Sequence, residues 1–208
     1  MARQKGNHLI CGIGHSSNIN PITSGGQKVK EYEAWRGMIK RCHDEKYLLR
    51  EPTYEGCIVA NDWLYYDNFY DWIISQANYH KWKTGEREWA IDKDIKHKGN
   101  KIYSRDSCFL VPQNVNNLFT NRKLHRGLCP IGVDYLSKLN KFRASCMNPF
   151  TGKQVHIGVY TTPELAFQAY KKYKENVIKY VAEQEYLNGN ITLECMNAML
   201  QYTIEIND

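Results

Sequence analysis

Residues 89–117 read WAIDKDIKHKGNKIYSRDSCFLVPQNVNN, and the order of residue types in this stretch decides the fold. Trp89, Ala90 and Ile91 suit a short strand with an acidic end at Asp92. Around Gly99 the sequence HKGNK reads as a turn, because glycine tolerates the positive φ of tight reversals. Cys108 to Val111 form a second apolar run, and Pro112 suits the first turn of a helix through Val115 and Leu118. Strand, loop, strand, helix is the expected order. The same stretch clusters Lys93, Lys96, Lys98, Lys101 and Arg105 on one hairpin. Such clusters suit phosphate oxygens, with binding that salt weakens steeply, although a solvated charged face is the plainer reading.

Working outward, residues 1–28 are rich in Gly, Ser and Asn and read as an arm or irregular lead-in. Tyr32, Trp35, Ile39 and Cys42 then recur at helical spacing. REPTYEG (50–56) is a turn, GCIVANDWL (56–64) holds a short strand, and a helix resumes from Asp67 through Phe69, Trp72 and Ile73. KWKTGERE (81–88) reads as a polar loop. Beyond the basic connector NRKLHRGLCP (121–130) the period changes to two. Phe142, Ala144 and Cys146 alternate with Arg143, Ser145 and Met147; Val155, Ile157 and Val159 alternate with Gln154 and His156. Thr162, Pro163 and Glu164 open a helix through Leu165, Ala169, Tyr170, Tyr173, Val177 and Val181, and ITLECMNAMLQYTIEI (191–206) reads as one more.

The expected class is α+β: N-terminal helices, a ββα unit, then a three-stranded antiparallel sheet packed on one helix. The expected division is an arm (1–28), a first module (29–122), a basic connector (123–130), a second module (131–184) and a C-terminal helix (185–208).

Composition narrows the function classes. The 208-residue chain is 42% hydrophobic and 24% charged, ordinary for a globular protein, and its net charge of +6 favours an acidic partner. No apolar run approaches the ~20 residues of a membrane span, and no apolar segment follows the basic N-terminus, so secretion is not expected. Seven cysteines with no CxxC pair argue for a reducing compartment, hence the cytoplasm, and against a disulfide framework. Cys42, His43 and Cys57 lie near one another in sequence but lack paired ligand spacing, so zinc is not the expected metal.

Residues 132–170 resemble the DNA-binding domain of plant ethylene-response factors, a three-stranded sheet backed by one helix. The resemblance rests on Gly132-Val133, Lys141-Phe142, Gly152-Lys153, Ile157-Gly158, Tyr160, Thr162-Pro163-Glu164, Ala166, Ala169 and Tyr170. It implies that the uncovered sheet face enters the major groove of double-stranded DNA, with Asp134, Leu136, Ser145, Met147, Gln154 and His156 facing the groove. Parity adds Arg143, and Lys138, Lys141 and Lys153 belong on or near the same face. The plant domains place arginine and tryptophan at several of these positions. Asp134, Leu136 and Met147 offer neither guanine contacts nor sugar packing, so a different or weaker base readout is expected. A protein-docking face without DNA contact is the alternative.

Residues 89–117 resemble the ββα unit of HNH nucleases. That resemblance implies an Mg²⁺ or Mn²⁺ ion held by Asp92 and by Asn116, with Asn114 and Asn117 nearby. The position of the usual general-base histidine is Lys93, and that of the loop asparagine is Ser107. Residues 29–182 are also similar to a family of phage proteins labelled HNH endonuclease, through Tyr32, Trp35, Met38, Arg41, Cys42, Trp63, Tyr66, Phe69, the Asp92–Asp94 triplet, Lys98 to Lys101, Tyr103, Ser104, Cys108, Val111 and Pro112. The lysine looks like a trait of that family. An unperturbed lysine, with a pKa of ~10.4, is almost wholly protonated at neutral pH. His97, four residues on, is the substitute base if the loop folds back.

Three functions stay open at this point. The leading one is a phage-type DNA-binding protein on a degenerate HNH-like scaffold, in the cytoplasm of a bacterial host. The second is an active homing-type endonuclease using Asp92, Asn116 and either Lys93 or His97. The third is a protein-binding inhibitor of host machinery. In the first two, Arg122, Lys123 and Arg126 of the connector add backbone contacts across a minor groove.

Overall fold

Tyr32, Trp35, Ile39 and Cys42 do share the buried side of a helix, α1 (Lys30–His43), in the computed structural model, which describes residues 9–85, 87–120 and 128–208. Arg122, Lys123 and Arg126 lie outside the described residues, as do the first eight residues of the arm. The fold is α+β, and the chain divides into two units, 1–86 with 91–110 and 87–90 with 111–208.

In the first unit, α2 (Glu45–Arg50) is capped by the Asp44 carboxylate, which accepts from Tyr47 N at 2.9 Å. α3 (Tyr66–Ser75) and α4 (Tyr79–Thr84) complete the helices. Their core is aromatic: Trp35, Trp63, Tyr66 and Phe69 are fully buried, and Trp35 Nε1 donates to the Trp63 carbonyl at 2.8 Å. α4 occupies part of the stretch expected to be a polar loop. One buried anchor, Trp82, holds it down, while Lys83 donates to buried Glu31 of α1 at 2.6 and 2.7 Å and Tyr79 donates to the same carboxylate. A polar sequence thus makes a packed helix through one ring and one buried ion pair.

The described part of the lead-in is not a loose arm. Backbone bonds join His15 N to Leu64 O and Tyr66 N to His15 O, and Asn20 and Ser17 both donate to Asp67. Gly14 sits where a Cβ would come 3.1 Å from the Trp35 ring. β1 (Thr23–Ser24) and β2 (Gln27–Lys28) then form a small antiparallel hairpin.

β3 (Ile58–Val59) pairs in parallel with β5 (Ile102–Tyr103), and β4 (Trp89–Asp92) neighbours β6 (Phe109–Pro112). α5 (Gln113–Asn116) is a single turn, with Pro112 ending the strand before it. The helix expected through Leu118 stops early because three asparagines, poor helix formers, fill its turn and its end.

The second unit carries the sheet β7 (Val133–Leu136), β8 (Lys141–Met147), β9 (Gln154–Tyr160), antiparallel in that order. α6 (Pro163–Leu187) packs on one face, its start capped by Thr162. The closing helix is shorter than expected, α7 (Leu193–Leu200). Val133, Ala144 and Cys146 of the sheet and Ala166, Phe167 and Tyr170 of α6 are buried. Gly132 has φ +74°, and a Cβ there would lie 2.0 Å from the Tyr170 ring, so both backbone and packing require glycine.

One strand differs from strict alternation. Ala144 pairs with Gly158 but Ser145 pairs with His156, so Ile157 is an extra residue at a bulge. The bulge reverses parity beyond it. Val159, which strict alternation would turn inward with Val155, therefore pairs with Arg143 on the uncovered face and is exposed.

Candidate nucleic-acid interface

The hairpin holds three of the four HNH-like positions in local hydrogen bonds. Asp92 ends β4, and its Oδ1 accepts from the backbone N–H of Asp94 at 2.8 Å and of Ile95 at 2.7 Å, which closes the turn. The residue is only 5% exposed, and this burial pushes its carboxyl up to about 6. Lys93 is also buried. Its Nζ donates to both Asp94 oxygens at 2.8 and 2.7 Å and to the Asn100 carbonyl at 2.8 Å. Those three bonds engage all three N–H groups of an ammonium and tie the side chain to the loop. Asn100 locks the loop from the other side, donating to the carbonyls of Lys93 at 2.9 Å and Ile102 at 2.7 Å. Ser107, in the loop-asparagine position, donates to the Ile102 carbonyl at 2.7 Å. His97 is exposed, and its imidazole makes no hydrogen bond to Asp92 or Lys93 among the described residues.

On the helix, Asn114 is committed: Nδ2 donates to Glu185 at 3.0 Å and Oδ1 accepts from Arg87. Asn117 accepts from Gln113 at 2.9 Å, and Asn116 is half-buried at the end of α5. A hard divalent cation keeps several waters and takes open anionic oxygens. Asp92 instead offers a buried carboxyl with one oxygen already holding two N–H groups, a poor fit for that chemistry. Cys42 and Cys57 are buried, and burial pushes the Cys42 thiol up to about 12, which suits an apolar thiol better than a zinc thiolate. Among the described residues, no group of three or more His, Cys, Asp or Glu side chains is placed to hold a metal ion.

The hairpin cations divide by role. Lys98 and Arg105 are exposed. Lys96 lies over the Phe109 ring, 5.7 Å from its centroid. Lys101 donates to the carbonyls of Thr53 and Glu55 at 3.4 and 3.1 Å, so its ammonium ties β5 to the preceding turn.

The sheet of the second unit brings the expected face together. Register places Asp134 beside Arg143, Leu136 beside Lys141, Ser145 beside His156, and Met147 beside Gln154, all on the side away from α6. Two cross-strand pairs order it. Arg143 meets Asp134 at 2.8 Å, both half exposed, and Gln154 donates to Ser145 Oγ at 2.7 Å, leaving Ser145 buried. Lys141, Lys153, His156 and Met147 are exposed. The Asp134 pairing was not foreseen from the sequence, where the two residues stand nine apart; only the strand register reveals it.

Comparison of the chain with protein-family models, with curated proteins and with solved structures returns no match. No helix among the described residues is long and apolar enough to cross a membrane.

Proposed function

We propose that the chain binds double-stranded DNA through the uncovered face of the β7–β8–β9 sheet, and that its HNH-like hairpin serves binding without cutting. The observation that carries this reading is the face itself. A twisted three-stranded sheet, backed on one side by α6, presents Lys141, Arg143, Lys153, His156, Gln154 and Met147 outward, with Asp134 as the acidic group among them. Such a surface fits a major groove, with cations on phosphates and polar side chains on base edges. Asp134 holds Arg143 in place and partly neutralises it, so discrimination between sequences is modest. Lys98 and Arg105 of the hairpin add phosphate contacts. The Lys93 amine, spent on Asp94 and Asn100, steadies the loop and takes no proton from water.

Duplex binding measured by fluorescence anisotropy across a salt series tests this. Each lost phosphate contact lowers the salt slope by about 1, so Lys141→Ala with Lys153→Ala is expected to lower it by about 2 and to weaken binding on all sequences alike. Asp134→Asn, which releases Arg143, is expected to tighten binding. Unchanged affinity and slope in the double variant would make the sheet a protein-docking face.

A further inference from the structure

Six side chains of the first unit form one continuous ladder of cations and rings. Arg50 lies over Tyr47 at 5.7 Å to the centroid, and Tyr47 meets Tyr54 edge-on at 5.9 Å. Arg41 lies between Tyr54 at 5.8 Å and Tyr103 at 5.7 Å, and Lys93 follows over Tyr103 at 5.9 Å. The ladder draws on α1, α2, the turn at Pro52–Tyr54, β5 and the hairpin. Lys101, bonded to the carbonyls on either side of Tyr54, holds that turn in place.

The middle of this ladder is short of negative charge. Asp94 compensates Lys93, and Glu31 and Glu33 are engaged elsewhere, by Lys83 and Arg36. Among the described residues no carboxylate lies within ion-pair distance of Arg41, and its Nε, shielded from solvent, has no acceptor. The Tyr103 hydroxyl accepts one hydrogen bond from the guanidinium, and the rings of Tyr54 and Tyr103 offer π faces near the outer limit of a cation–π contact, which leaves Nε wanting oxygen and the charge without an anion. Shielding a guanidinium without an anion is costly. The neighbouring phenols of Tyr54 and Tyr103 bring further donors. The local shortage is therefore of anionic oxygen.

We propose that Arg41, with the Tyr54 hydroxyl beside it, binds a tetrahedral phosphate group. The same chemistry serves a backbone phosphate of nucleic acid or free inorganic phosphate, and only the first source rests on the DNA-binding reading. Planar guanidinium N–H pairs match two oxygens of one phosphate, which a lysine ammonium at this position does not.

The test is calorimetric titration of the full chain with inorganic phosphate, at constant ionic strength balanced by chloride. Saturable binding is expected, weakened about tenfold or more in Arg41→Gln, as the loss of a charge-assisted pair implies. Tyr54→Phe keeps the ring and drops the hydroxyl; it is expected to weaken phosphate several-fold and decides the matter if Arg41→Gln does not fold. A duplex titrated in parallel separates the sources. Competition between phosphate and duplex places a backbone phosphate at Arg41, whereas phosphate binding indifferent to duplex indicates the free ion. The Lys141→Ala/Lys153→Ala variant should bind phosphate normally, so failure of the sheet reading leaves this site intact. Absence of saturable phosphate binding together with duplex affinity unchanged by Tyr54→Phe, or phosphate binding equal in wild type and both variants, overturns it.

Discussion

Asp92→Asn is expected to stabilise the protein at neutral pH by about 2–3 kcal/mol, the opposite of what loss of a needed carboxylate would do. The asparagine Oδ1 still accepts from Asp94 N and Ile95 N, while the buried charge disappears. The sign follows from the direction of the shift. The folded carboxyl titrates at about 6, above its ordinary 3.8, so the native state holds the proton more tightly. Its contribution is fully present below that ordinary value and is lost as pH rises through the folded one. Wild-type stability should thus fall relative to Asp92→Asn between about pH 4 and pH 6, then run parallel. Asp92→Ala removes the acceptor of two N–H groups and should cost about 1–3 kcal/mol for each donor left buried and unpaired. Urea unfolding of the three proteins across that range checks all of this. Asparagine that destabilises at neutral pH would mean that the carboxylate is ionised and paired in the native state, as a metal ligand would be.

The second large effect belongs to Glu185. This buried carboxylate of α6 receives both terminal nitrogens of Arg87, at 3.0 and 3.2 Å, with Asn114 at 3.0 Å and Asn190 at 2.7 Å. Burial alone would raise its titration point, but the bonds from Arg87, Asn114 and Asn190 outweigh burial and hold it below the usual 4.5. Its stabilising contribution is present above that usual value and is lost as acid carries the pH through the lowered one. Glu185→Ala strands the Arg87 guanidinium and two amides, and should cost about 3 kcal/mol, the low end for a buried pair because Arg87 is partly solvated. Arg87→Met with Glu185→Leu should recover most of that loss. A single-variant cost under about 1 kcal/mol would show the pair to be no more than a surface bridge.

Much of the fold was legible because its periods are strong. The run of Tyr32, Trp35, Ile39 and Cys42 admits only a helix, and the alternation from Phe142 to Cys146 only a half-buried strand. Tertiary choices were not legible. Trp82 and Glu31 make a helix of a polar stretch by contacts across 48 to 52 residues of chain. The Ile157 bulge turned Val159 outward without a glycine or proline at the extra residue to signal it. At the hairpin, Asp92 and Lys93 stand out in the sequence, but residue type could not say that the carboxyl closes a turn and the amine is tied to Asp94 and Asn100. Arg41 and Tyr103 carry no signal of their contact in the sequence, since α1 and β5 stand some sixty residues apart and only folding brings charge and ring together.

Incubation of supercoiled plasmid with the purified protein plus Mg²⁺ or Mn²⁺, half of each sample deproteinised before electrophoresis, tests the central claim most directly. Binding without cutting predicts retarded plasmid in the untreated half and intact supercoil in the deproteinised half, the same for wild type and Asp92→Asn. Nicked or linear product that requires metal and vanishes in Asp92→Asn would contradict it and make the hairpin a nuclease.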